Sequence, residues 1–215
     1  MNNGRETIFR VFHLLPLSFV LMIGVTSTGL AGTDDMERTV GIPGTSQWQG
    51  LTMSAATGSA FRVGIPGFVI RSSEAGLIIS VPGQASHGNP GEPALPAIAT
   101  VCAAGGALSF SVEMLPPSWI EITNMLVAPV ASRVLENVTT NAPTYREERR
   151  PSPSLYEADR FWPDVTTTIQ EAWMGTQKLV RIECVPFQYN PVRKVLRYTP
   201  VLEGRMVPVK VEDTR

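Results

Sequence analysis

Lys178-Leu-Val-Arg-Ile-Glu-Cys-Val-Pro-Phe-Gln-Tyr-Asn-Pro-Val-Arg-Lys-Val-Leu-Arg-Tyr198 is the stretch from which the fold is read. Leu179 to Val185 is a β-rich run, and Val195 to Tyr198 begins another. Between them Gln188-Tyr189-Asn190-Pro191 carries turn chemistry. Proline has no N–H to give to a ladder and pushes the residue before it into an extended conformation. Asparagine tolerates turn geometry and bonds its own backbone. The segment is expected to be a strand, a polar corner and a returning strand.

Working outward, further strand patterns recur. Phe61, Val63 and Ile65 alternate before a turn at Pro66-Gly67. Phe68-Val69-Ile70 and Leu77 to Val81 read as a hairpin around Ser72 to Gly76. Gln84 to Pro93 reads as a loop leading into an apolar strand region at Ala94 to Cys102. Leu108, Phe110 and Val112 alternate with polar residues, and Trp119 to Ile122 follows the turn at Pro116-Pro117. Residues 136–163 form a long polar stretch, read as a connection, before strands at Val165 to Trp173 and Val195 to Val211. Nine or ten strands without an amphipathic helix imply an all-β fold, an antiparallel β-sandwich or jelly-roll-like domain.

Composition agrees. The chain has 215 residues with 18 Gly and 18 Pro, more punctuation than a helical protein tolerates. A formal charge of −1 gives no basic footprint for nucleic acid. Arg5 and Arg10 flank an apolar run from Val11 to Val25, and small residues follow it. That pattern describes a secretory signal peptide, with cleavage expected near Ala31 and Gly32. The run is too short to span a bilayer, so no membrane association is expected after cleavage, and the product is expected to be secreted, periplasmic or extracellular. The expected organisation is a signal peptide at 1–31, an N-terminal segment at 32–60 that joins the β domain or precedes it, and the domain at 61–212.

Export places Cys102 and Cys184 in an oxidising compartment. Both fall in expected strands, and a disulfide and two separate buried thiols are both open readings. A bridge closing so long a loop would add about 4 kcal/mol on the chain-entropy model.

The chemical inventory is sparse. His87 is the single histidine after signal removal and reads as a solvated loop residue, so neither an imidazole metal site nor a Cys–His pair is expected. No phosphate loop or nucleophile elbow occurs. Glu147-Glu148 and Asp159 read as solvated charges among arginines, and no metal or cofactor is expected. Asn137-Val138-Thr139 fits the glycosylation acceptor pattern. Arg146, Arg149 and Arg150 lie between Tyr145 and Pro151-Ser152-Pro153, an extended, basic and proline-stiffened segment.

Three motifs occur in a fixed order: Gly91-Glu92-Pro93-Ala94-Leu95-Pro96, Phe161-Trp162-Pro163-Asp164 and Pro186-Phe187-Gln188-Tyr189-Asn190-Pro191. With Gly175 and Arg181-Ile182 between the last two, the region from Gly91 to Val211 resembles the propeptide domain of gingipain-type cysteine proteases, peptidase family C25. The resemblance implies an exported β-sandwich that precedes a caspase-like catalytic domain, assists its folding and keeps it latent. It implies a C25-type catalytic domain as partner, in cis or in trans. It also implies that a basic residue on an exposed loop occupies the protease pocket. Arg149 and Arg150 are the candidates, with Arg146 and Arg133 behind them. The sequence departs from the family at Val192-Arg193-Lys194, where a glycine-bearing turn is usual. The catalytic His and Cys of the protease domain are absent, so this chain is expected to be non-catalytic. A different reading is a cell-surface β-sandwich, structural or carbohydrate-binding, that stacks sugars on Trp48, Trp119, Trp162 and Trp173.

Overall fold

The computed structural model describes residues 37–50, 59–104, 109–137 and 143–209. The signal segment with Ala31 and Gly32, and residues 210–212 of the expected domain, lie outside them. The chain begins with β1 (Glu37–Gly41), β2 (Gln47–Gln49), β3 (Ser59–Gly64), β4 (Gly67–Ser73) and β5 (Gly76–Ser80). It continues through β6 (Ala85–His87), β7 (Leu95–Ala104), β8 (Ser109–Met114) and β9 (Ile120–Ile122). Next come β10 (Ser132–Asn137), β11 (Thr144–Glu148), a single-turn helix α1 (Pro153–Tyr156) and β12 (Thr167–Met174). The described part closes with β13 (Gln177–Cys184), β14 (Phe187–Asn190), β15 (Val195–Tyr198) and β16 (Val201–Val209).

The strands pair antiparallel in five sheets, ordered β1-β4-β5, β2-β3-β16-β8, β12-β13-β7-β6, β14-β15-β9 and β10-β11. The all-β class therefore stands. Where one face is buried the alternation is clean: β3 buries Ser59, Phe61 and Val63, and β13 buries Lys178, Val180, Ile182 and Cys184. The expected hairpin at 68–81 is the β4–β5 pair, with Ile70 opposite Ile79. The segment before it is not a separate leader: β1 pairs with β4, and β2 pairs with β3.

Three expectations change. The strands number sixteen among the described residues, because many are only three or four residues long. Gln188 to Asn190 is strand rather than corner: β14 pairs with β15, Tyr189 opposite Leu196, and the turn falls at Pro191 to Lys194. Lys194 takes φ 52° there, the geometry that glycine would supply at lower cost. The preceding run, β13, pairs with β12 and β7 in another sheet, because Pro186 ends its ladder. The described residues within 136–163 likewise include regular structure: the end of β10, strand β11 and helix α1.

One core joins the four larger sheets. The Phe68 ring meets Phe187 and Tyr198 edge-on, each with centroids 5.0 Å apart. Burying each such aromatic side chain contributes about 1.5–3 kcal/mol, and an edge-on pair about 0.5–1.5 kcal/mol more. Lys178 is buried, with Nζ 2.8 Å from Glu171 Oε2. Glu171 in turn accepts the Phe110 N–H at 3.0 Å, which ties β12 to β8 across two sheets. The Lys178 hydrogen bond holds the Glu171 carboxyl below its usual range.

The two cysteines are not bridged. They lie on neighbouring strands, but Cys102 stands opposite Val180 and Cys184 opposite Ile98. Four residues of offset separate them by about 13 Å along the strands, at the usual rise per residue, well beyond disulfide reach. Burial raises both thiols, Cys184 up to about 11. Neither is a ready nucleophile.

Candidate functional site

The arginine-bearing segment starts on the β10–β11 hairpin. Here the exposed sequence pairs Arg133 with Glu147, Val134 with Arg146 and Leu135 with Tyr145. Opposite-charge and aromatic–aliphatic cross-strand pairs of this kind hold a ribbon that has no buried face. Asn137 ends β10, while Val138 and Thr139 of the glycosylation pattern lie outside the described residues. Arg146 is exposed on β11.

Past the ladder the two neighbouring arginines separate. Arg149 turns inward: Nη1 donates to the Pro129 carbonyl at 2.8 Å, and Nη2 lies 3.8 Å from Glu147. Arg150 turns outward, with its side chain 81% exposed and Nε donating to Glu148 Oε1 at 2.6 Å. An ion pair that open to solvent is worth little and separates easily.

The Gly91-Glu92-Pro93 motif anchors the main chain beneath these arginines. Gly91 N–H donates to the Val130 carbonyl at 3.0 Å, and Val130 N–H to the Glu92 carbonyl at 2.7 Å. On the other side Ser152 N–H donates to the Gly91 carbonyl at 2.9 Å. Gly91 has φ +90°, and a Cβ there would stand 3.0 Å from the Arg150 carbonyl oxygen. Only glycine admits both the backbone angle and the close approach.

Farther along, the segment is fastened a second time. Trp162 and Tyr189 exchange backbone hydrogen bonds at 2.9 and 2.8 Å. Gln188 Nε2 donates to the Pro163 carbonyl at 2.6 Å, and Tyr189 Oη donates to the Met125 carbonyl at 3.0 Å. Asp159 accepts from Asn190 Nδ2 at 2.8 Å and from Arg193 Nε at 2.6 Å. The Arg193 bond, then the Asn190 bond, hold the Asp159 carboxyl below its usual range. Arg197 lies between two rings, 3.8 Å from the Phe161 centroid and 4.8 Å from that of Trp119. The Phe-Trp-Pro and Gln-Tyr-Asn-Pro motifs are thus two halves of one clasp.

His87 is not a solvated loop residue. It sits on β6, with Nδ1 2.7 Å from Glu183 Oε1 and its ring 5.6 Å from that of Trp162. Arg181 pairs with the other Glu183 oxygen. Burial acts to raise the Glu183 carboxyl, but the hydrogen bonds from His87 and Arg181 outweigh it, and the net shift is downward. Asp159, Glu147 and Glu148 are likewise paired rather than merely solvated. The partners of His87 and Asp159 lie on distant segments, so no residue spacing announces them.

Among the described residues no group of three His, Cys, Asp or Glu side chains is placed to hold a metal ion. No described helix is long and apolar enough to cross a membrane. Of the four tryptophans, Trp48 and Trp162 pack against the core, Trp119 is partly covered by Arg197, and Trp173 is 60% exposed. They do not form the shared exposed platform that sugar stacking needs.

Two solved structures from Porphyromonas gingivalis share this fold. One is a complex of RgpB pro- and mature domains, at 18% identity and TM-score 0.62, covering 76% of this chain and 84% of the other. The second concerns the zymogenic latency of gingipain K, at 13% identity and TM-score 0.64, covering 82% of this chain and 100% of the other. Comparison with curated proteins returned no match. The Propeptide_C25 family model matches residues 52–205, a span that takes in the glycine anchor, the arginine segment and the clasp, and the chain belongs to that propeptide family.

Proposed function

We propose that this chain is the latency-maintaining and folding-assisting prodomain of an exported C25-type cysteine protease, and that it places Arg150 in the arginine pocket of that enzyme. The fold is read as a sandwich-like scaffold, with jelly-roll-like winding, that presents the segment after β11. The leader at 1–31 directs export, with cleavage near Ala31. The chain itself cuts no peptide.

The observation that carries the reading is the division between neighbours. Arg149 spends its guanidinium on the Pro129 carbonyl, while Arg150, bonded to Glu148 at the surface, is 81% exposed on an anchored main chain. A fixed backbone with a projecting, always-charged fork enters an acidic pocket with little ordering cost. Arg146 is second choice, because it projects from a ribbon paired only with itself. The pro- and mature-domain complex of RgpB and the latency of gingipain K support the choice of partner.

The test is inhibition of a purified arginine-specific C25 protease by the full chain. Arg150→Ala is expected to weaken inhibition by more than about 2 kcal/mol, as for an interface hot spot. Absence of inhibition at large molar excess discards the reading.

A further inference from the structure

The Arg150–Pro151 bond itself suggests how such an arginine survives in a protease that cuts after arginine. We infer that Arg150 is a shielded arginine, bound by an arginine-specific active site but not cut, because Pro151 and the Gly91 anchor withhold the bond that follows it. The inference rests on the proposed placement of Arg150 in the pocket.

Cleavage after Arg150 requires a cysteine thiolate to bond to the Arg150 carbonyl carbon. The C–N bond to Pro151 must then break, and the Pro151 nitrogen must leave carrying a proton. Two features of the segment oppose this. Pro151 makes the leaving nitrogen part of a ring with no N–H and with fixed φ, and its Cδ restricts how Arg150 can turn. Ser152 N–H holds the Gly91 carbonyl at 2.9 Å, which fixes the leaving side after acyl transfer as well as before it. A leaving group that cannot diffuse away favours re-formation of the bond.

The neighbouring bond, Arg149–Arg150, is protected differently. Its arginine is occupied by Pro129 and half-buried, so it cannot enter a pocket without giving up that hydrogen bond. Two adjacent arginines are thus guarded by two devices, one by tethering the side chain and one by blocking the bond.

The experiment incubates the full chain, wild type and Pro151→Ala, with an arginine-specific C25 protease and follows inhibition and fragment ends over time. Pro151→Ala is expected to bind at first like wild type, then lose inhibition as a cut appears after Arg150, at least about tenfold faster than in wild type. The new end is expected to vanish in the double variant Arg150→Ala/Pro151→Ala. A Pro151→Ala protein that inhibits durably without that cut, or a wild type cut there as fast as the variant, overturns the shielding while leaving the pocket assignment standing. Unchanged inhibition by Arg150→Ala instead removes the pocket assignment, and the shielding with it.

Discussion

In the hairpin β14–β15 the first strand buries all four of its residues, and the second buries Leu196 and Tyr198. In β10–β11 none of the residues whose side chains are described is buried. Both are short antiparallel ribbons with polar residues in unexpected places. In β14 the polar groups are turned inward and each finds a partner: Gln188 on Pro163, Tyr189 on Met125 and Asn190 on Asp159. In β11 they are turned outward, and Glu147 and Glu148 pair with the arginines that follow them in the chain. The first hairpin is where the fold is fixed; the second can change without disturbing it. On the proposed function that separation is useful, since the contacts that bind the protease need not be the contacts that fold the domain.

The largest expected effect comes from the buried side. Phe187→Ala removes a fully buried ring from the Phe68–Tyr198 cluster and is expected to cost about 3–5 kcal/mol in urea unfolding. A cost under about 1 kcal/mol would mean that the hairpin is not the anchor of the core. Tyr189→Phe keeps the ring and orphans the Met125 carbonyl, and about 1–3 kcal/mol is expected. Loss of only a few tenths would place the clasp's strength in packing rather than in its hydrogen bonds.

On the exposed side Arg149→Ala is expected to cost about 1 kcal/mol through its bond to Pro129. Arg150→Ala and Tyr145→Ser are expected to stay within about 0.5 kcal/mol of wild type. Thermal unfolding of the three variants side by side checks the contrast between the anchored arginine and the projecting one.

A smaller effect is pH-dependent. The Glu183 carboxyl is lowered in the folded chain relative to its ordinary value of 4.5. A lowered carboxylate contributes stability that is present above the unfolded value and is lost as pH falls through the folded one. Urea midpoints measured downward from pH 4.5 are therefore expected to fall less steeply in Glu183→Gln than in wild type. Parallel curves would show that the His87–Glu183–Arg181 group does not contribute to acid sensitivity.

The sequence was most legible where one physical rule decides the outcome. Period-two alternation located β3, and apolar runs bounded by turn residues located the β4–β5 hairpin, β7 and β13. The order of three short motifs was enough to name the family, and those motifs proved to be contact surfaces for one another and for the arginine segment. Gln188 to Asn190 was read as a turn because buried polar strand residues look like turn residues until their partners are known. His87 was read as solvated for the same reason: Glu183 and Trp162 lie far along the chain. For the cysteines, strand membership was readable but register was not, and the four-residue offset decides the matter. Which of Arg149 and Arg150 projects depends on Pro129 being near, and no local pattern reports it.

That offset leaves the molecule with an internal chemical clock. Cys184 is fully covered and its thiol is bonded by the Thr167 hydroxyl at 3.6 Å, across the β12–β13 ladder. An alkylating reagent reaches it only when the core around β13 opens. The rate of labelling at Cys184, set against the partly exposed Cys102 in the same chain, therefore counts the openings of that core.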